Sequence, residues 1–305
     1  MSHPSPRRGL GRSVVIVGVG IVLAAGILVL LVPSVLAILG SAGSVIGSLL
    51  PWGLVGLVPA VGVAIAARSK LLTVLSGAFT IAWAVAVVPS VLTPAATGDA
   101  RLTVLTQNLE ASNEDPSATV RALAARGPDV IALEELTQTS GATASDVLAS
   151  AYPHHYRVGS VGVWSRTTLS DGEPLTLSLD WKRALRVTVS TDLGDVRLYV
   201  VHVDSLRLGA EDARPAMLRS LAAEVRADTS DRLVVAGDFN GGSFDPAMRP
   251  LRGMLDEGGG WGFTWPAQAP VVRLDHILVR GLQTTSTEVL PADGSDHRGM
   301  LSGFR

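Results

Sequence analysis

The sequence predicts a four-layer α/β/β/α sandwich, two packed mixed sheets flanked by helices, preceded by three transmembrane helices. Three observations predict it. Long N-terminal runs carry no charge, every acidic residue lies beyond them, and the remainder mixes short apolar strands with amphipathic helices.

The chain has 305 residues, 27 acidic and 25 basic. All 27 acidic residues lie at or beyond Asp99, whereas Arg7, Arg8, Arg12, Arg68 and Lys70 precede it. The first 98 residues therefore carry +5 and the rest −7, a split that the overall −2 conceals. No cysteine is present, which removes disulfides, thiolate metal sites and cysteine nucleophiles.

Residues 14–39, 49–67 and 71–92 contain no charged side chain. A helix needs about 20 mostly apolar residues to cross a bilayer, whereas a cleavable signal peptide has an apolar core of only roughly 7–15. A buried hairpin in a soluble core suits such long charge-free runs poorly. The expected organisation is a cytoplasmic N-terminus (1–13), a transmembrane region (14–92, with spans near 14–39, 49–67 and 71–92), a linker (93–100) and a C-terminal domain (101–305). The stretch 40–48 reads as an uncharged loop. Three crossings put both basic clusters on one side, which the positive-inside rule makes cytoplasmic. The expected location is thus the cell membrane, multi-pass, with the C-terminal domain outside.

In that domain, residues 101–108, 129–133, 161–164, 184–190, 196–203, 233–236 and 271–279 read as strands, from their Val, Leu and Tyr content and bounding turns. Residues 117–125 and 211–227 read as helices; Ala213, Met217, Leu218, Leu221 and Val225 share one face of the latter. Hairpin-like strand pairs argue against a purely parallel sheet, and two sheets with helices outside fit the pattern.

Several strands end in a carboxylate, amide or imidazole: Asn108, Glu134 and Glu135, His202, Asp238 and Asn240, Asp275 and His276, Asp296 and His297. Each alone reads as a turn residue, a cap or a satisfied core histidine. Together, at loop ends held by a rigid sheet, they point to chemistry. Hard oxygens and imidazoles without thiolates suit magnesium, manganese or calcium. Such a cation binds a phosphoryl oxygen, and a neighbouring carboxylate can orient and deprotonate water.

Residues 101–305 resemble the endonuclease/exonuclease/phosphatase superfamily, the fold of pancreatic-type DNase, abasic-site endonucleases, inositol polyphosphate phosphatases and sphingomyelinases. The resemblance rests on Thr106-Gln107-Asn108-Leu109, the segment from Pro128 to Leu136, Val201-His202-Val203, Gly237-Asp238-Phe239-Asn240, Arg273-Leu274-Asp275-His276-Ile277-Leu278 and Ser295-Asp296-His297-Arg298, in family order. It implies a membrane-anchored, metal-dependent hydrolase of phosphate esters that uses Mg2+ (or Mn2+, with Ca2+ also open). Glu135 would be the principal metal ligand, helped by Asn108 and Asp296. His297, paired with Asp275, would contact the scissile phosphate, and His202 another phosphoryl oxygen. Asp238 would orient or deprotonate the attacking water, and Asn240 would donate to the developing charge. The implied reaction is in-line attack by water on phosphorus without a covalent enzyme intermediate.

The chain departs from the family pattern in places. Glu134 stands where a Gln is usual, Gln107 where an aromatic is common, and Gly299-Met300 where a Pro follows Asp-His-Arg. The nearest counterparts of a phosphate-side tyrosine are Tyr152 and Tyr156. His154 and His155 read as rim residues, His276 as structural, Trp265 as loop-shaping, and Arg166 as either a pocket-mouth residue or an exposed ion-pair partner.

A domain at −7 with a single lysine, Lys182, is poorly suited to gripping long duplex DNA. Three classes remain: a phosphodiesterase or nuclease, which ranks first as the commonest family activity; a phospholipid or inositol-phosphate hydrolase; and a non-catalytic membrane binding protein. The expected partners are a phosphoester substrate, whether nucleic acid or phospholipid, and the membrane. No obligate protein partner is inferred.

Overall fold

Apolar segments without charge fold here as helices, which satisfy their own backbone hydrogen bonds. The structure, a computed structural model, describes residues 6–305 apart from Leu208 and Trp261, and leaves the side chains of residues 6–10 undescribed. Residues 1–5 of the predicted cytoplasmic segment, and the side chains of Arg7 and Arg8, therefore lie outside the described residues. The helices are α1 (Pro6–Leu31), α2 (Ser34–Ile38), α3 (Gly40–Leu49), a 3₁₀ turn (Leu50–Trp52), α4 (Gly53–Ala66) and α5 (Lys70–Val91). Gly11–Leu31, Gly40–Ala66 and Lys70–Val91 are long and apolar enough to cross a membrane.

Two boundaries differ from the sequence reading. The run 14–39 breaks at Val32-Pro33, because proline has no N–H to continue a helix and crowds the preceding turn. Residues 40–48, expected as a loop, form α3. Its glycines permit close contact: a Cβ on Gly43 would stand 1.8 Å from the Leu36 carbonyl oxygen, and one on Gly47 2.5 Å from that of Phe244.

α1, α4 and α5 form a bundle around Leu23, Leu57, Ala64 and Leu72. The Arg12 side chain donates to the Ala67 carbonyl, so Arg12, Arg68 and Lys70 gather at one end of the bundle. The C-terminal domain docks at the other end. There Ser44 Oγ donates to Asp245 Oδ1 (3.1 Å), Gly242 N–H to Ser48 Oγ (3.0 Å), Trp52 Nε1 to the Val271 carbonyl (2.7 Å) and Gly260 N–H to the Val91 carbonyl (3.0 Å).

The domain contains β1 (Leu102–Asn108), β2 (Val130–Glu134), β3 (His154–Val158), β4 (Val161–Ser165), β5 (Leu169–Leu175), β6 (Ala184–Thr191), β7 (Gly194–His202), β8 (Leu233–Asp238), β9 (Asp256–Glu257), β10 (Asp275–Arg280), β11 (Thr284–Val289) and β12 (Met300–Phe304). One sheet runs β11-β12-β1-β2-β4-β3 and the other β5-β6-β7-β8-β10-β9. Both are mixed: β1 with β2 and β7 with β8 are parallel, and the remaining pairs are antiparallel.

Alternation along each strand assigns the layers. Val104, Val130, Ala132, Val200, Val234, Ala236 and Ile277 face inward and form the core between the sheets. The opposite faces carry α6 (Pro116–Ala125) and α7 (Gln138–Leu148) over the first sheet, and α8 (Ala213–Ala227) and α9 (Arg249–Arg252) over the second. The result is the four-layer sandwich that the sequence predicts. β3, β5, β9, β11 and α7 were not legible as elements, and the strand expected over 271–279 begins only at Asp275.

Glu257 fixes β10 from behind. It accepts from Arg273 Nη1 (3.0 Å), lies 2.5 Å from His276 Nδ1, and is 3.7 Å from Arg252 Nε. Burial alone would raise its carboxyl. The charges of His276, Arg273 and Arg252, with the His276 hydrogen bond, outweigh burial and hold it well below the usual range. Because the folded-state value is depressed, the stabilisation is present above the ordinary Glu range of about 4.3 and fades as pH falls below it. Glu257→Gln is expected to lower the unfolding free energy at pH 7 by about 3 kcal/mol, as loss of one partner from a buried ion cluster does, and to flatten the acid limb of stability. Urea melts of both proteins in detergent across pH 3–7 check this.

Candidate active site

Strand register builds the site. Arg183, just before β6, lies beside His202, whose N–H donates to the Arg183 carbonyl (2.9 Å). His202 pairs with Asp238 across β7–β8, and Asp238 with Asp275 across β8–β10. Paired residues share a face and neighbouring strands lie about 4.8 Å apart. A cation, an imidazole and two carboxylates therefore stand in one row. All four positions continue the inward alternation of Leu185, Val200, Ala236 and Ile277, so the row closes one end of the inter-sheet core. In the other sheet Asn108 pairs with Glu134 at the same end.

Asn108 joins the two sheets. Its Nδ2 donates to Glu135 Oε1 (3.1 Å) and Asp238 Oδ2 (3.0 Å), and its Oδ1 accepts from Glu110 N–H (2.8 Å). Glu135 leaves β2 with φ 54°, a left-handed conformation that breaks the strand alternation and brings its carboxylate to Asn108. Glu134 stays in alternation and is buried, with Oε1 accepting from Thr106 Oγ1 (2.8 Å). Burial pushes its carboxyl well above the usual range, reinforced by Asp275 and Asp238. A neutral carboxylic acid has the shape of the Gln that family members carry there.

Two groups bring ligand atoms within 4.8 Å of one another, namely Glu135, His202 and Asp238, and Asp238, Asp275 and His297. His297 Nδ1 lies 2.9 Å from Asp275 Oδ2, and its Nε2 lies 3.9 Å from Asp238 Oδ2. Burial disfavours the charged ring, but Asp275, Asp238 and Asp296 outweigh it and push His297 up to about 10. His202 goes the other way: burial, then Arg183, His297 and Arg207, hold it well below the usual imidazole range. One Arg183 terminal nitrogen stands 2.7 Å from His202 Nδ1 and 2.5 Å from Nε2, a contact that a neutral ring tolerates. Asp238 is raised by burial and by Asp275, against the opposing pull of His297.

Asn240 N–H donates to Asp238 Oδ1 (2.8 Å), while its Nδ2 donates to the Val203 carbonyl (2.9 Å) and Asp238 Oδ2 (3.2 Å). The amide thus holds Asp238 in place, and both of its hydrogens are engaged. Asp296 lines the same cleft, of about 570 Å3, beside Trp265, whose Nε1 lies 3.4 Å from Asp296 Oδ2. Asp296 belongs to neither tight group. Burial raises its carboxyl, and nearby Glu110 and Glu135 add to that.

Several other expectations fall elsewhere. The Tyr152 hydroxyl donates to the Pro128 carbonyl (2.9 Å) and Tyr156 packs against the sandwich core, so neither reaches the cleft. Arg166 lies over the Tyr152 ring, 5.3 Å from its centroid. His154 and His155 sit on the edge strand β3. His276 Nε2 meets the Gly241 carbonyl (2.8 Å) and is structural. Gln107, where an aromatic is common, donates to the Asn108 and His297 carbonyls (both 2.9 Å) and ties the two loops together. A Cβ at 299 would lie 2.4 Å from Gln107 Oε1, which accounts for glycine there.

The family model for the Endonuclease/Exonuclease/phosphatase family matches residues 105–297. The chain belongs to this family. The match spans Asn108 to His297 and so covers every residue of the cleft contributed by the strand ends. Solved structures share the family fold. D. rerio TDP2 complexed with single strand DNA product is 18% identical, with 67% of this chain and 98% of that chain covered and a TM-score of 0.56. Sphingomyelinase C from Streptomyces griseocarneus is 18% identical, with 68% and 100% covered and a TM-score of 0.53. A beta toxin from Staphylococcus aureus with bound magnesium ions is 14% identical, with 68% and 100% covered and a TM-score of 0.56. No curated protein matches the chain.

The family motifs do not mark Arg183, Arg214 or α3, yet all three border the cleft. Arg183 had one signal, the inward alternation of Leu185 and Val187 carried one step further. Arg214 and the serines of α3 had none, because their partners are distant in sequence.

The Asp275–His297 pair gives a direct test. Asp275→Asn is expected to bring the His297 titration from about 10 down to or below the ordinary imidazole range, since burial then acts with less opposition. Histidine side-chain NMR with the metal chelated reads this. A ring still protonated at pH 9 in the variant would contradict the assigned cause.

Proposed function

We propose that this chain is a membrane-anchored, divalent-metal-dependent phosphodiesterase that hydrolyses its substrate by in-line attack of water on phosphorus. The observation that carries the reading is the approach of Glu135, His202, Asp238, Asp275 and His297 in two overlapping groups, with Asn108 bonded between the sheets. The donors are oxygens and imidazole nitrogens only, and the buried Asp275 Oδ1 has no hydrogen-bond partner among the described residues. That excess of buried negative charge fits a hard divalent cation such as Mg2+.

Glu135, helped by Asn108 and Asp296, would hold the cation. When bound, it supplies positive charge at a phosphoryl oxygen. The remaining work falls to the side chains. His297, kept protonated by Asp275, donates to the scissile phosphate. Neutral His202, braced by Arg183, contacts a second phosphoryl oxygen. Asp238, aligned by Asn240 and Asn108, orients the attacking water and takes its proton.

The three apolar helices support anchoring in a membrane. With Arg12, Arg68 and Lys70 at the bundle end away from the domain, the positive-inside rule puts that end in the cytoplasm and the active site outside.

Two experiments test these readings. Full-length protein in detergent with Mg2+ is expected to hydrolyse bis-p-nitrophenyl phosphate, and EDTA should abolish turnover. Asp238→Ala and His297→Ala should each reduce kcat by about 10²–10⁴-fold; wild-type turnover that survives both variants would sink the assignment. For orientation, alkaline phosphatase fused after Arg305 should be active and green fluorescent protein fused there dark. The reverse pattern would put the domain inside the cell.

A further inference from the structure

A helix of the membrane region lines the cleft. Ser44, Val45, Ser48 and Leu49 of α3 share it with Glu135, His202, Asp238 and His297. The wall is fixed, because Ser44 bonds Asp245, Ser48 accepts from Gly242, and Gly47 lies against the Phe244 backbone. Part of the cleft lining is apolar and exposed. Val45 is 46% exposed and Leu49 43%. Across from them stand Leu206, Trp265 and Val271. Among the described residues beyond Asp99, the large exposed hydrophobics are these three and Trp181, which lies over the Arg183 guanidinium. Three of these four side chains thus line the one cleft.

The height of the bundle places the mouth of this cleft. α4 has 14 residues and rises only about 21 Å, short of the roughly 30 Å hydrocarbon core. To cover it, the bilayer must reach the Leu50–Trp52 turn and the base of α3. The mouth then opens at the membrane surface.

Charge argues against a nucleic-acid track. Arg183 is paired with Asp204 at 3.0 Å and Arg214 with Asp245 at 2.5 Å. Of the cleft arginines only Arg207 is largely exposed, and it too pairs with Asp204, at 3.4 Å. A polyanion groove needs several free cations along its length.

We propose that α3 is a working wall of the active site, and that the site selects phosphodiesters carried on a hydrocarbon chain. The phosphate sits among Glu135, His202, Asp238 and His297, and the chain lies against Val45, Leu49, Leu206 and Val271. This rests on the phosphodiesterase reading. Water oxygen bonds to phosphorus and one P–O ester bond breaks. The proton given up to Asp238 returns through solvent to the leaving alkoxide, yielding a phosphomonoester and an alcohol.

The test uses the full chain in detergent with Mg2+ and p-nitrophenyl esters of methyl, hexyl and dodecyl phosphate, below their micellar concentrations. Wild-type kcat/KM is expected to rise roughly tenfold or more from methyl to dodecyl, as partial burial of the added methylenes requires. Val45→Ser with Leu49→Ser should flatten that slope to within about twofold. A wild-type slope near one, or single-stranded DNA cut with higher kcat/KM than the dodecyl ester, would overturn the proposal without any variant. If the methyl ester is hydrolysed and Asp238→Ala abolishes this, such a result sinks the chain-binding inference alone. If no ester is hydrolysed, both readings fall together.

Discussion

Two buried carboxylates on adjacent strands, Asp238 and Asp275, face each other because β8 and β10 pair in that register. Two like charges at strand spacing in a poorly solvated place repel strongly, and the rest of the site answers that repulsion. His297 inserts against both, and the same field holds its ring protonated. Asn108 and Asn240 donate to Asp238 from opposite sides. Burial, reinforced by both aspartates, pushes the carboxyl of Glu134, at the same end of the other sheet, well above the usual range. What these groups leave uncompensated is buried negative charge where Asp238 and Asp275 meet.

The two histidines show how position alone divides labour. His202 and His297 both border Asp238, at 3.9 Å each. His202 is buried, has Arg183 against its ring nitrogens and is driven neutral, while His297 has Asp275 at its Nδ1 and is driven positive. Residue type is the same; the neighbouring strand decides. A site with one neutral and one charged imidazole around a shared carboxylate can offer a phosphoryl group two different hydrogen-bonding partners at a single pH.

Much of this is legible in the sequence. Asn108, Glu135, His202, Asp238, Asp275 and His297 stand out because each ends, interrupts or closely precedes an apolar run, and the structure brings them to one end of the core. Alternation also separates Asp275 from His276 and would have sent Glu134 inward. It could not place Glu135, whose left-handed backbone defeats the strand period. Nor could it find the edge strands β3 and β11, whose partly exposed, polar residues weaken the strand signal. α3 was misread as a loop because glycine and serine usually signal one. Here they are small so that one helix can lie on backbone.

That close approach has an energetic consequence for the N-terminal helices. The Arg214–Asp245 pair is fully buried, and a buried ion pair is stable only when its remaining hydrogen-bonding capacity is met. Arg214 meets part of it at the Asn240 carbonyl, and Asp245 meets part of it at the Ala247 N–H and the Ser44 hydroxyl. A helix of the apolar N-terminal region thus completes a polar cluster that touches the backbone of Asn240, the residue that holds Asp238. Withdrawing α3 would expose Gly47 and Gly242, which have no side chain to cover the gap, and would leave Asp245 one donor short. The apolar N-terminal helices and the sandwich therefore share one packed interface beside the cleft.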